Sequence, residues 1–186
     1  LILSAITSGA VPNLEKVRPF SQELNSPPGV LLWAEELRPA LEGLTLRCVL
    51  NQGFMAGRAS SLRVGLASLG EHAAGTVIAL ADHPLLEARD VTALLEAYAR
   101  RGASRAVVPR VAGERGHPVV LEPGVCREIL RADPGYGARH WMQSNPAQVA
   151  WFDCDNPHYR VDLDAPGDLE RVTAAHGCSL RWPAGL

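Results

Sequence analysis

The sequence predicts an α/β domain built on a mainly parallel sheet, and three observations carry that expectation. Strand-like apolar runs alternate with helix-patterned segments along the whole chain. Most of the runs, such as "TVIALA" at 76–81, are continuously apolar instead of alternating, which marks strands covered on both faces. Acids stand where such runs end, at Asp82 and again at Asp162 and Asp164. Open α/β sheets bind their ligands beyond the carboxyl ends of the strands.

The elements follow in order. "LILSAI" (1–6) reads as a buried strand. Residues 7–29 are irregular, because Gly9, Pro12, Pro19, Pro27, Pro28 and Gly29 break any long helix. Residues 31–41 carry helical spacing, with Pro39 near the end. "LTLRCVL" (44–50) is a strand. Ser60 or Ser61 caps a helix running to about Leu69. After the strand at 76–81, Asp90 caps "VTALLEAYARR", whose Val91, Leu94, Leu95 and Tyr98 share one face. "SRAVVPRV" (104–111) and "HPVVLE" (117–122) are strands around a Gly-rich turn. Helices follow near 124–131 and from Gly137 to Gln143. "AQVAWFDC" (147–154) is a strand, and "YRVDLD" (159–164) approaches or forms another. "APGDLERVTAAH" (165–176) is a helix with Pro166 in its first turn, where proline is tolerated. The last ten residues read as a tail.

Totals exclude several classes. The 186 residues fit one domain, 1–186, able to bury a core without staples. A net charge of -2 argues against nucleic-acid or membrane-surface partners. Seventeen of the 18 basic residues are arginines, which leaves Lys16 conspicuous. Cys48, Cys126, Cys154 and Cys178 form no C-x-x-C pair, so metal-site spacing is absent and free thiols of a reducing cytoplasm are expected. No apolar run reaches the roughly 18 residues of a membrane span. "LILSAI" is too short for a signal-peptide core and has no basic leader, although the chain does not begin with Met. The expected location is cytoplasmic.

Asp82 ends an apolar run and is followed by His83 and Pro84, so it is either a ligand-facing acid or an ordinary turn residue. Asp162 and Asp164 would share one side of a strand, while Asp168 falls in the first turn of a helix, where the dipole favours an acid. Asp164 could equally serve as the cap of that helix. Two carboxylates from separate strand ends can hold one Mg²⁺, which typically takes one or two carboxylates plus phosphate oxygens. The ion then neutralises charge on a transferring phosphoryl group. "GRASSLRVGL" (57–66) places a glycine and two serines at a helix start, suited to a phosphate, a base edge or a plain cap. "GERGHPVV" (113–120) puts His117 in a turn before a strand. Neither a G-x-S-x-G elbow nor a G-x-G-x-x-G fingerprint is present.

"SSLRVGL", "ALADHPLL", "RGHPVVL", "YGARHWMQSNPAQV" and "VDLDAPGDLERV", in this order, resemble the molybdenum cofactor cytidylyltransferase branch of the nucleotidyltransferases, the MobA-like group that includes the guanylyltransferases. The resemblance runs from about Trp33 to Val172. It implies a three-layer Rossmann-like fold that binds a nucleoside triphosphate and Mg²⁺. A phosphorylated molybdopterin attacks the α-phosphate of CTP or GTP, and pyrophosphate leaves. By position, the resemblance makes Asp82 and Asp164 the catalytic, metal-binding pair. It places Ser8, Asn51, Gly57 and Ser61 on the nucleotide, and Gly116, His117 and Pro118 on the acceptor side.

The N-terminal 32 residues are diverged and shortened. Where the family carries L-A-A-G-x-S-x-R-M-G-x-x-K, this chain reads "LSAITSGAVPNLEKVRPF". In ungapped register Ile6, Ala10, Pro12 and Glu15 replace the first Gly, the Arg, the second Gly and the Lys, and only Ser8 survives; a one-residue slip would bring Lys16 to the Lys position. Ile cannot cheaply follow a Gly into positive φ, and Pro12 removes an N–H donor. Losing one preorganised donor from such a site costs roughly 3 kcal/mol. The resemblance therefore leaves two expectations. One is an impaired or inactive transferase. The other is a non-catalytic binding or maturation partner in molybdenum enzyme assembly.

Overall fold

The structure, a computed structural model, describes residues 2–7, 29–30, 49–69 and 73–177. Its strands are β1 (Ile2–Thr7), β2 (Gly29–Val30), β3 (Val49–Leu50), β4 (Ala73–Ala79), β5 (Ala106–Val111), β6 (Glu114–Arg115), β7 (Val119–Leu121) and β8 (Val149–Asp153). Its helices are α1 (Arg58–Ser68), α2 (Ala88–Ala99), α3 (Pro123–Arg131), α4 (Ala138–Ser144) and α5 (Pro166–His176). The helix expected at 31–41 lies outside the described residues, as does most of the strand expected at 44–50.

β2 and β3 form a separate parallel pair; the other six strands form one sheet ordered β1-β4-β7-β5-β6, with β8 along the remaining edge of β5. β4, β5 and β8 share one direction and supply the parallel frame expected of a Rossmann-like fold. β7 lies between β4 and β5 and runs against both, so it enters the sheet at the rim where they leave. The register sets Val119 opposite Ile78, which brings His117 level with the segment leading to Asp82. β1 pairs antiparallel with β4, from Ile2 opposite Ala79 to Thr7 opposite Ala73.

Side-chain alternation gives each central strand two buried faces. Ile78, Val108 and Val119 pack with α1, α3 and α4 through Leu62, Ile129 and Trp141. Val77, Val107 and Val120 pack on the opposite side against Leu94 and Tyr98 of α2. That is the three-layer arrangement, and it explains why these runs are apolar throughout. Each fully buried aliphatic side chain contributes about 1.5–3 kcal/mol.

Three local expectations are corrected. α1 begins at Arg58, ahead of Ser60 and Ser61, because Gly57 adopts φ 93 and turns the chain sooner. α2 begins at Ala88, so Asp90 is no longer the cap but the third helical residue, where its Oδ2 accepts the Glu87 N–H at 2.9 Å. Residues 159–164 form no strand: a 3-10 turn spans Pro157–Tyr159, and the Arg160 and Val161 N–H groups are spent on the Pro157 carbonyl at 2.9 and 3.1 Å. No helix among the described residues is long and apolar enough to cross a membrane.

Candidate active site

Asp82 stands just past β4 in a turn. Its carbonyl accepts the Leu163 N–H at 2.9 Å, and this bond draws Asp164, the next residue, to the same rim. The two acids expected to meet are thus tied through their backbones. The Asp82 Oδ1 is buried and has no hydrogen-bond partner among the described residues. Asp164 is exposed, and its carboxylate does not cap α5. The cap residue is Ala165, and Asp168 does the work, its Oδ2 accepting the Asp164 and Ala165 N–H groups at 2.9 and 2.8 Å. Arg171 holds the other Asp168 oxygen at 2.8 Å. Asp168 is accordingly a helix-start residue, and Asp164 is left free of that task.

Among the described residues no three His, Cys, Asp or Glu converge as a ready metal cluster. A two-carboxylate site completed by phosphate oxygens needs no such cluster. A buried carboxylate oxygen without a donor, beside a second tethered acid, fits a hard divalent cation, because an orphaned buried acceptor is otherwise costly. Asp82 and Asp164 are the residues that would hold it.

Gly116, His117 and Pro118 lie at the same rim. The His117 N–H donates to the Tyr159 carbonyl at 2.8 Å. A Cβ on Gly116 would stand 2.6 Å from that same carbonyl oxygen, so only glycine fits. The His117–Pro118 peptide is cis. Arg115 Nη2 lies 3.3 Å from His117 Nε2; as arginine only donates, Nε2 accepts and the ring proton sits on Nδ1. The His117 and His83 rings meet edge to face, 5.8 Å apart, and the His83 Nδ1 is buried without a hydrogen-bond partner among the described residues. Burial, then the Arg115 cation, His83 and Arg58, push His117 down to about 4. It is therefore a neutral imidazole at pH 7.

Asn51 and Ser61 are brought together and committed to each other. Asn51 Nδ2 donates to the Ser60 and Ser61 hydroxyls, both at 2.9 Å, and Asn51 Oδ1 accepts the Gly53 N–H at 3.0 Å. The amide thus fastens the end of β3 to α1 and shapes the Gly57 turn. Ser8 and Lys16 lie outside the described residues. Thr7 is described, and it pairs with Ala73 at the start of β4, a strand length of about 20 Å from the Asp82 rim.

A cleft of about 750 Å³ opens beside His117. Its floor is apolar, from Leu62, Ile78, Leu80 and Met142, and Arg58, Arg115 and Arg139 line it with no acid among the described residues of its walls. Trp151, 45 % exposed, closes one side. Arg110 lies 5.1 Å over the Trp151 ring and is itself forked onto Asp153 at 2.5 and 2.7 Å. Sequence reasoning passed over the three cleft arginines and Trp151, although "GRASS", "GERGHP", "YGARHW" and "AWFD" contain them. Seventeen arginines give no sign of which ones lack a carboxylate.

Comparison with known proteins identifies the family. The profile of the family described as "MobA-like NTP transferase domain" matches residues 23–161. The phosphoenolpyruvate guanylyltransferase of Rubrobacter xylanophilus is 30 % identical over 163 residues, covering 77 % of this chain and 78 % of its own. The crystal structure of Rv0371c from Mycobacterium tuberculosis H37Rv superposes with a TM-score of 0.60 at 26 % identity, over 76 % of this chain and 71 % of that one. A manganese complex of Rv0371c superposes with a TM-score of 0.53 at 25 % identity, over 75 % and 72 % of the two chains.

Proposed function

We propose, because the chain belongs to the MobA-like NTP transferase family, that it transfers a nucleotidyl group from CTP or GTP to a phosphate monoester. Molybdopterin is the acceptor this reading favours, and the phosphoenolpyruvate in the name of the Rubrobacter relative is the competing choice. Both present a phosphate oxygen to the α-phosphate and release pyrophosphate. The observation that carries the reading is the Leu163–Asp82 bond, which ties the backbone next to Asp164 to that of Asp82, whose Oδ1 is buried without a hydrogen-bond partner among the described residues.

The roles follow from position. Asp82 and Asp164 are the residues that would hold a divalent ion, Mg²⁺ or Mn²⁺, which would supply charge neutralisation to the group in transfer. Asn51 and Ser61 hold the Gly57 turn against the nucleotide. Gly116, His117 and Pro118 border the acceptor. His117 is neutral, so it offers hydrogen bonds and no charge.

A second reading, a binding or maturation partner without turnover, is favoured by one specific observation. β1 runs against β4, so the described chain leaves β1 at the rim remote from Asp82, and the sequence that follows lacks the glycines and the arginine of a triphosphate cradle.

Pyrophosphate release decides between them. Protein with CTP or GTP, Mg²⁺ or Mn²⁺, and either acceptor should release it, and Asp82→Ala or Asp164→Ala should lower the rate at least about 100-fold. Absence of release with every pairing, together with a thermal shift by molybdopterin alone, would favour the partner role.

A further inference from the structure

We propose that Arg58, Arg115 and Arg139 form a phosphate subsite in the cleft beside His117, one that takes a doubly charged phosphate group. The inference deepens the transferase reading and rests on it only for the identity of the phosphate's owner.

The first support is the convergence of three arginines without ion pairs on one hollow, in contrast to three arginines elsewhere that carboxylates hold. Arg105 is held by Glu122 and Glu128 at 3.0 and 2.7 Å, Arg110 by Asp153 and Arg171 by Asp168. Arg58, Arg115 and Arg139 reach one cleft, and none of the three has an ion pair among the described residues. The second support is the contrast along one row of the sheet. Arg115 of β6, Arg110 of β5 and Asp153 of β8 stand opposite one another. Asp153 neutralises Arg110 and leaves Arg115 uncompensated. The third is how Arg115 is held. Its Nη2 donates to a neutral imidazole, which fixes the guanidinium without cancelling its charge.

Like charges converging in a hollow with no acid are unfavourable unless an anion enters. Burial first, and the Arg139 cation second, hold Arg115 below the ordinary arginine value. Planar guanidinium forks match phosphate oxygens two at a time. A carboxylate would satisfy one fork; three arginines suit a group whose two charges are shared over three oxygens. The phosphate can belong to the acceptor ester or to the β- and γ-positions of the nucleotide, and the chemistry of the subsite is the same for both.

Titration calorimetry in EDTA, at fixed ionic strength, tests the subsite free of any metal. The probes are inorganic phosphate, pyrophosphate, phosphoenolpyruvate and CTP. Wild type should bind at least one of them, and Arg115→Ala and Arg139→Ala should each weaken that binding about 10-fold or more. Arg139→Ala, at an exposed position, should also melt at or above the wild-type temperature without anion, since it removes repulsion; a purely structural arginine would give the opposite. Losses confined to phosphate and phosphoenolpyruvate assign the subsite to the acceptor, and losses confined to CTP and pyrophosphate assign it to the nucleotide. The readout involves neither metal nor turnover, so failure of the two-acid reading is separable from failure of the subsite. Equal affinity for all four probes in wild type and the Arg115→Ala/Arg139→Ala double variant overturns the proposal, as does absence of binding to wild type.

Discussion

His117 is where the chemistry of a single residue is most visible. Its imidazole is wedged against His83, touched by Arg115 and shifted from 6.5 to about 4. The native state therefore resists protonating it, while the unfolded chain takes up that proton near pH 6.5. The sign follows: the contribution is complete above about pH 6.5 and is lost as the pH falls through the window from 6.5 to about 4. Its full size is about 3 kcal/mol. Urea denaturation between pH 7.5 and 4 should show that slope in wild type and a flatter one in His117→Gln. Equal slopes would mean that another group titrates. The sequence singled out His117 through the resemblance that "GHP" carries, and the structure places it in the wall of the cleft. Its coupling to Arg115 and His83 was not legible, because His83 comes from a different strand end and meets it only once β7 is in register.

At the scale of elements, the segment from Cys154 to Asp164 stitches the site together, and Asp90 anchors it. The buried Asp90 carboxylate accepts Asn156 Nδ2 at 2.7 Å, meets His158 Nδ1 at 2.9 Å and receives the Glu87 N–H at 2.9 Å; its backbone carbonyl accepts the Tyr159 hydroxyl at 2.7 Å. From that anchor the Tyr159 carbonyl reaches His117 and the Leu163 N–H reaches Asp82. Asp90→Asn puts an amide N–H₂ where two donors now point and should cost about 1–3 kcal/mol in denaturation. A midpoint within error of wild type would mean the turn is held by packing alone. Local reasoning saw Asp90 as a helix cap because an acid before an apolar helix is usually one. Its partners at Asn156, His158 and Tyr159 are distant in sequence, and no spacing rule connects them. The strand expected at 159–164 failed for the related reason that Pro157 turns the chain and consumes the N–H groups a ladder would need.

For the whole molecule, the layering was legible where the chain is apolar in unbroken runs, since only strands covered on both sides can afford them. The two cores it creates are separated by the sheet itself. Leu94→Ala empties the α2 side and Ile129→Ala the α3 side, each costing about 2–5 kcal/mol. The double variant should equal their sum within about 0.5 kcal/mol, as expected for sites without shared partners. A large coupling energy would show that the sheet transmits strain between its faces. The directions of β1 and β7 were not legible, because strand direction leaves no trace in composition. The reversed course of β7 has an evolutionary corollary. Its approach passes through a two-residue tip, Ala112–Gly113, with both residues at positive φ and exposed, while the register above it is fixed by Arg110 and Val111. Insertions at that tip would lengthen an exposed hairpin without disturbing the ladder below it, so the loop between Val111 and Glu114 can vary at little risk to folding.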